Sequence, residues 1–208
     1  MSPAAAPNPA DPIAESTRTT ILDAAERRFS HFGYRKTTMA EIASDARMSA
    51  ANLYRYFASK QDIAECCCDR WMQVRLEGLR GVVRGPGSAA ERLHAFVLAD
   101  LRFTQEMACG QPSAYEMVEM VMQERPEFVH RKIEAVESLL SEILAYGNQT
   151  GEFDIVDIVR AARSVHAAIL LYEVPIFANL FSLEEFEASA GDVVSLVLDG
   201  LRTRDVRT

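Results

Sequence analysis

The sequence lacks the cysteine pattern of a disulfide-stapled protein. Of its four cysteines three are adjacent, Cys66, Cys67 and Cys68, and neighbours in a row do not make a bridging framework. No apolar run approaches the ~18–20 residues that a membrane helix needs. The stretch from Met1 to Glu15 carries no Lys or Arg and no apolar segment of the signal-peptide kind, so a cytoplasmic protein is expected. There is no G-x-S-x-G elbow, no phosphate-cradling glycine loop, no H-E-x-x-H and no C-x-x-C pair, so no enzyme and no cofactor is expected. Positive charge is also scarce. Lys and Arg number 22 against 30 Asp and Glu, a net charge of −8 over 208 residues, which on average is hostile to nucleic acid.

The average conceals an uneven distribution. From Ser16 to Lys60 eight basic residues face four acidic ones, a surplus of +4, while the chain after Lys60 carries 14 basic and 24 acidic residues. A small basic module followed by a larger acidic one is the expected organisation. The residues fall into three parts: an Ala/Pro-rich tail over 1–15 that reads as disordered, a first domain over 16–60 and a second over 61–208.

Periodicity points to an all-α fold of about nine helices, with no sustained two-residue alternation to call a strand. Ile21, Ala25, Phe29 and Phe32 mark one face of a helix that Gly33 ends. Thr38 with Glu41, and Ser59 with Asp62, have capping-box spacing. The expected helices after Phe32 are Thr38–Asp45, Ser49–Phe57 and Ser59 to about Val83, then a break at Arg84-Gly85-Pro86-Gly87. Further on, Leu93, Phe96, Val97 and Leu101 mark one helix. Tyr115–Gln123 is a shorter Met-rich one. Val129 to Ile143 forms another. A long helix is expected from Ile155 to Ile176, bent at Pro175, and a last one carries Ala190, Val194, Val197 and Leu201.

Two short helices joined by Ala46-Arg47-Met48, after a longer helix, have helix-turn-helix spacing. The second of the pair would present Ala50, Ala51, Asn52, Arg55 and Tyr56. Thr37 and Thr38 on one side, and Tyr54, Tyr56 and Lys60 on the other, are donors placed for phosphates. An ordinary helical bundle with a tight turn has the same pattern, and so does a helical interaction protein that does not bind DNA.

The residues Ile21-Leu22-Asp23-Ala24-Ala25, Phe29, Gly33-Tyr34, Thr37-Thr38, Ile42-Ala43, Leu53-Tyr54-Arg55-Tyr56-Phe57 and Ser59-Lys60 resemble the TetR family of bacterial transcriptional regulators in order and spacing. The resemblance implies a homodimer with an N-terminal three-helix DNA-binding domain and a C-terminal helical domain that binds a small effector and dimerises. It implies a repressor released from a pseudo-palindromic operator, with no membrane partner. By position, Thr37 and Thr38 would cap the second helix and touch phosphate. Tyr54, Tyr56 and Lys60 would touch the DNA backbone, and Ser49, Ala50, Asn52 and Arg55 would face bases. Two residues depart from the pattern. Arg47 stands where the family usually has Gly, and a side chain at positive φ costs ~1 kcal/mol. Ala50 stands where a longer side chain is common, and Ala offers a methyl contact but no donor.

In the second domain, Phe103, Met107, Tyr115, Met117, Met120, His166 and Leu170 are the candidate effector residues. Met adapts to varied apolar shapes and packs cores equally well, and the effector is expected to be largely apolar. The stretch Val165–Tyr172 is apolar nearly all round, so Ile169 and Tyr172, with Val194, Val197 and Leu201, are candidates for an intermolecular four-helix bundle. A metal- or thiol-responsive regulator is the alternative. Cys66–Cys68 point about 100° apart in a helix and cannot together grip one ion. His94, His130 and His166 fall on three separate helices, so no metal ligands are assigned.

Overall fold

A computed structural model of the chain describes residues 12–110, 112–174 and 181–202. Among them are nine α-helices and no strand. They are α1 (Pro12–Phe32), α2 (Met39–Asp45), α3 (Ala50–Leu53), α4 (Lys60–Val83), α5 (Ala89–Gly110), α6 (Pro112–Glu124), α7 (Pro126–Thr150), α8 (Ile158–Ile169) and α9 (Leu183–Leu201), with a 3₁₀ turn at Leu170–Glu173. The chain forms two compact units, Met1–Trp71 with Gln111–Phe128, and Met72–Gly110 with Val129–Thr208. The division of 16–60 from 61–208 does not coincide with these units, because the start of α4 and all of α6 belong with the first.

In the first unit α1 buries Ile21, Leu22, Ala25 and Phe29 at helical spacing. It begins at Pro12, inside the stretch expected to be tail; proline suits a first turn, whose N–H groups have no intrahelical acceptor. Residues 1–11 lie outside the described residues. α1 ends where Gly33 takes φ +85° and its N–H donates to the Phe29 carbonyl at 3.1 Å. A Cβ here would lie 2.8 Å from Glu116 Oε2 on α6, which packs on α1. The glycine is required by its dihedral rather than by this approach, since the Glu116 carboxylate is the end of a flexible side chain that could move aside. At Ser59 the hydroxyl accepts from the Asp62 N–H at 3.1 Å, but the Asp62 carboxylate accepts from Arg125 at 2.8 Å and serves α4's contact with the segment after α6.

The second unit has its own core, built from Leu93, Phe96, Val97 and Leu101 on α5, Val136, Leu140 and Ile143 on α7, and apolar faces of α8 and α9. Gly147 lets the Phe153 ring lie directly on the α7 backbone, where a Cβ would collide with it. The long helix expected from Ile155 to Ile176 is shorter. Asp157 caps α8, accepting from the Arg160 N–H at 2.9 Å, and the helix tightens to the 3₁₀ turn after Ile169. Val174 is extended, at φ −106° and ψ 109°, as a residue preceding proline must tend to be. Pro175 and Ile176 lie outside the described residues.

Candidate nucleic-acid interface

The helix pair is held by its caps. Thr38 accepts from the Glu41 N–H at 3.3 Å, and the Glu41 carboxylate accepts from the Thr38 N–H at 2.8 Å, a closed capping box. Hydrogen bonds donated by the Thr38 hydroxyl and N–H, both at 2.8 Å, hold the Glu41 carboxyl below its ordinary range. Ser49 Oγ accepts from the Asn52 N–H at 3.2 Å and starts α3. Between them Arg47 has φ +56°, so of the two outcomes open where arginine replaces glycine, a strained turn or a differently shaped one, the turn takes the strained form. Its N–H donates to Ser44 and that of Met48 to Ala43, at 3.0 and 2.9 Å. α3 keeps α-helical form only to Leu53, four residues short of the expected end. Residues 54–56 continue as a turn, with i−3 bonds from Arg55 to Asn52 and from Tyr56 to Leu53.

The expected DNA-facing residues divide into two groups. Ser49, Tyr54 and Arg55 are exposed, as is Thr38, while Ala50, Asn52 and Tyr56 are half-buried. Thr37 and Lys60 turn inward instead. Thr37 is buried, and its hydroxyl donates to the Gly33 carbonyl at 2.9 Å. Lys60 Nζ donates to the carbonyls of Tyr34 and Thr37, both at 2.8 Å, and lies 4.2 Å from the Tyr34 ring centre. The reason is local: the tight 33–37 loop leaves carbonyls without helix partners, and a nearby ammonium satisfies them. Burial lowers the Lys60 ammonium's pKa and pushes the Tyr34 hydroxyl up to about 12.

The surplus of positive charge can be assigned residue by residue. Arg28 pairs with Asp45 and Glu41 at 2.6 and 3.1 Å. Arg70 of α4 pairs with Asp23 at 2.8 Å and lies 3.5 Å from Glu26. Each of the four acids of 16–60 thus lies against an arginine, two carboxylates to each guanidinium. Arg18 donates to the Tyr56 carbonyl at 2.9 Å and covers the Phe57 ring, and Arg35 pairs with Glu116 at 3.1 Å. Among the described residues, Arg27, Lys36, Arg47 and Arg55 remain exposed with no side-chain hydrogen bond or ion pair.

The other candidate groups are less united. Met117 has no accessible surface and is core of the first unit; Tyr115 and Met120, half-buried on the same helix, also belong to that unit. Phe103 and Met107 on α5, buried His166 on α8 and exposed Leu170 belong to the second. Ile169, Tyr172 and Val194, expected at a dimer interface, are buried inside the second unit's own core, and the Tyr172 hydroxyl bonds Ser189 at 2.8 Å. An apolar helix face turned to its own core reads in sequence like one turned to a partner. Val197 and Leu201 are half-buried, and Leu196 is 74% exposed.

A buried ionic cluster was not legible in the sequence. Arg75 on α4 donates to both carboxylate oxygens of Asp100 on α5 and, at 2.8 Å, to Glu173. Lys132 Nζ lies 3.8 Å from Glu173. His166 Nε2 is 3.2 Å from Glu173 and its Nδ1 is 3.6 Å from Glu137. Burial disfavours the Glu173 carboxylate, but His166, Arg75 and Lys132 outweigh it and bring its pKa to about 2. The available signal was weak: an Arg and an Asp interrupting otherwise apolar helix faces.

Cys67 and Cys68 are buried. Burial raises both thiols, Cys68 to about 12, the opposite of an activated thiolate. His94 and His130 are exposed and His166 is buried. Among the described residues no group of three His, Cys, Asp or Glu side chains is arranged to hold a metal.

The capped helix pair and its tight turn, with four unpaired cations on the unit that carries them, have the build of a helix-turn-helix. A profile described as "Bacterial regulatory proteins, tetR family" matches residues 21–67, and one described as "Tetracyclin repressor-like, C-terminal domain" matches 89–194. The chain belongs to the TetR family. It is 35% identical over 81 residues to the HTH-type transcriptional regulator BetI of Agrobacterium fabrum, across 38% of this chain and 39% of that one. It is 41% identical over 51 residues to the regulator HbdR of an Aromatoleum strain, across 24% and 22%. The match thus spans well under half the length of these curated relatives. A crystal structure of a transcriptional regulator from Cytophaga hutchinsonii shares the fold, with a TM-score of 0.70 at 23% identity over 89% of this chain and 98% of that one.

Proposed function

We propose that the protein is a ligand-responsive repressor that binds a pseudo-palindromic DNA operator as a homodimer in the cytoplasm. The observation that carries this is the capped pair α2–α3 with Arg47 and Arg55 exposed and unpaired. Thr38, Tyr54 and Tyr56 position the helix on phosphates, and Ser49, Ala50, Asn52 and Arg55 read base edges. Two copies would meet half-sites about 34–36 Å apart. The exposed face of α9, with Leu196, Val193 and Val197, supplies apolar surface for the second copy.

A small molecule bound in the second unit would weaken operator binding, by a coupling of about 1–3 kcal/mol. Phe103, Met107 and Leu170 offer apolar contacts there and His166 a polar one. A triclosan complex of the structural neighbour SmeT, 20% identical with a TM-score of 0.64, supports the reading that this fold admits a compact ligand. A gel-shift on the DNA upstream of the protein's own gene tests the proposal. Salt-sensitive, sequence-selective binding is expected, and no binding at low salt would overturn it. Sedimentation of wild type and Leu196→Glu tests the dimer, which the charge should dissociate.

A further inference from the structure

Arg47 is the one non-glycine residue with positive φ among the described residues. Glycine adopts φ +56° without a Cβ clash, whereas arginine there strains the backbone. The fold gains no visible contact in return. The guanidinium is exposed and has no hydrogen bond, ion pair or ring partner among the described residues, and the turn's hydrogen bonds to Ser44 and Ala43 come from backbone N–H groups that any residue but proline supplies. Nor does a free carboxylate stand in the turn to pair with it, because Asp45 is held by Arg28 at 2.6 Å. A strained backbone that supports no internal contact is a pointer to function.

We propose that Arg47 is an additional DNA-phosphate contact, which fastens the helix-turn-helix corner to the sugar–phosphate backbone at the flank of α3. It lies two positions before the Ser49 cap, so it stands outside the helix that would read the bases, where contacts set register and orientation rather than sequence. A guanidinium suits that task, because it stays charged and presents a fork of donors to phosphate oxygens. It also offsets the loss at Ala50, which has no donor to give.

The inference rests on the DNA-binding reading, and the experiment separates the two. Binding of the full chain to a mixed-sequence 30-base-pair duplex is followed by fluorescence anisotropy across a salt series. One phosphate contact corresponds to a slope of about 0.9 in log K against log salt. Arg47→Gly and Arg47→Gln should each reduce the slope by about 0.9 per protomer bound, and weaken binding at 0.1 M salt about eightfold per protomer. Arg47→Lys should retain the slope. Arg47→Gly alone should raise Tm, because it alone relieves the dihedral. Wild-type binding with an unchanged slope in Arg47→Gly and Arg47→Gln would overturn the phosphate contact and leave the DNA reading standing. A loss confined to one base pair of a selected operator would make Arg47 a base reader and overturn it too. No wild-type binding to any duplex would overturn both.

Discussion

Arg55 stands exposed just beyond α3 without a side-chain partner, whereas Arg75 in the second unit is 5% exposed and held by Asp100 and Glu173. The same residue type is used in opposite ways. Water solvates an exposed guanidinium and leaves its five donors for a molecule that arrives later. A buried one must find its counter-charges within the chain, because desolvation costs several kcal/mol per ion. The first unit also separates its cations by this rule. Arg28 and Lys60 are spent on caps and loop carbonyls, and Arg47 and Arg55 are left outward. Net charge is therefore a poor guide to DNA binding here, and the count of unpaired cations on one unit is a better one.

The largest expected effect lies at the buried end of the comparison. Arg75→Met leaves Asp100 and Glu173 buried with only Lys132 and His166 near, and should cost about 3–5 kcal/mol in chemical denaturation. Arg55→Met should move the same midpoint by less than about 0.5 kcal/mol. Equal losses at the two positions would break the contrast. In operator binding the order should reverse. Arg55→Ala is expected to remove about 1–3 kcal/mol of discrimination at a single base pair, while weakening that is uniform across sequences would make Arg55 a phosphate contact. A smaller effect is expected at the cap that holds the reading helix's partner. Thr38→Ala should lose about 1 kcal/mol of stability and Thr38→Ser much less, because serine accepts the same N–H.

What was legible in the sequence follows from how local the physics is. Gly33, the Thr38–Glu41 box and the Ser49 cap are decided within four residues, and each could be read from spacing alone. Arg47 in place of a family glycine marks the turn as unusual, but whether the backbone keeps the positive φ or changes shape is not legible in the sequence. The inward bonds of Thr37 and Lys60 are not legible, because their partners are carbonyls of the 33–37 loop, which composition does not reveal. Ile169, Tyr172 and Val194 were placed at an interface because apolar periodicity gives a face but not its occupant. The ionic cluster brings together Arg75, Asp100, Lys132, His166 and Glu173 from five separate elements. No spacing rule encodes it.

The subtlest test concerns pH. Burial alone would lower the pKa of His166, but Glu173 and Glu137, which face its two ring nitrogens from the 3₁₀ turn and α7, together outweigh burial and raise it above the ordinary value near 6.5. Arg75 and Lys132 temper this by holding Glu173, and Arg163 lies 3.4 Å from Glu137. A group whose pKa is raised on folding stabilises the protein fully below its unfolded value and loses that contribution as pH rises through the folded value. The denaturation midpoint should therefore fall as pH is taken upward from about 6.5, and His166→Gln should flatten the profile in that window. Non-specific DNA affinity, measured on folded protein across the same range, should stay level, because His166 is buried in the second unit and the proposed DNA-facing residues belong to the first. A wild-type midpoint that is flat or rises above pH 6.5 would show that folding does not raise the His166 pKa, and that Arg75 and Lys132 alone balance Asp100 and Glu173.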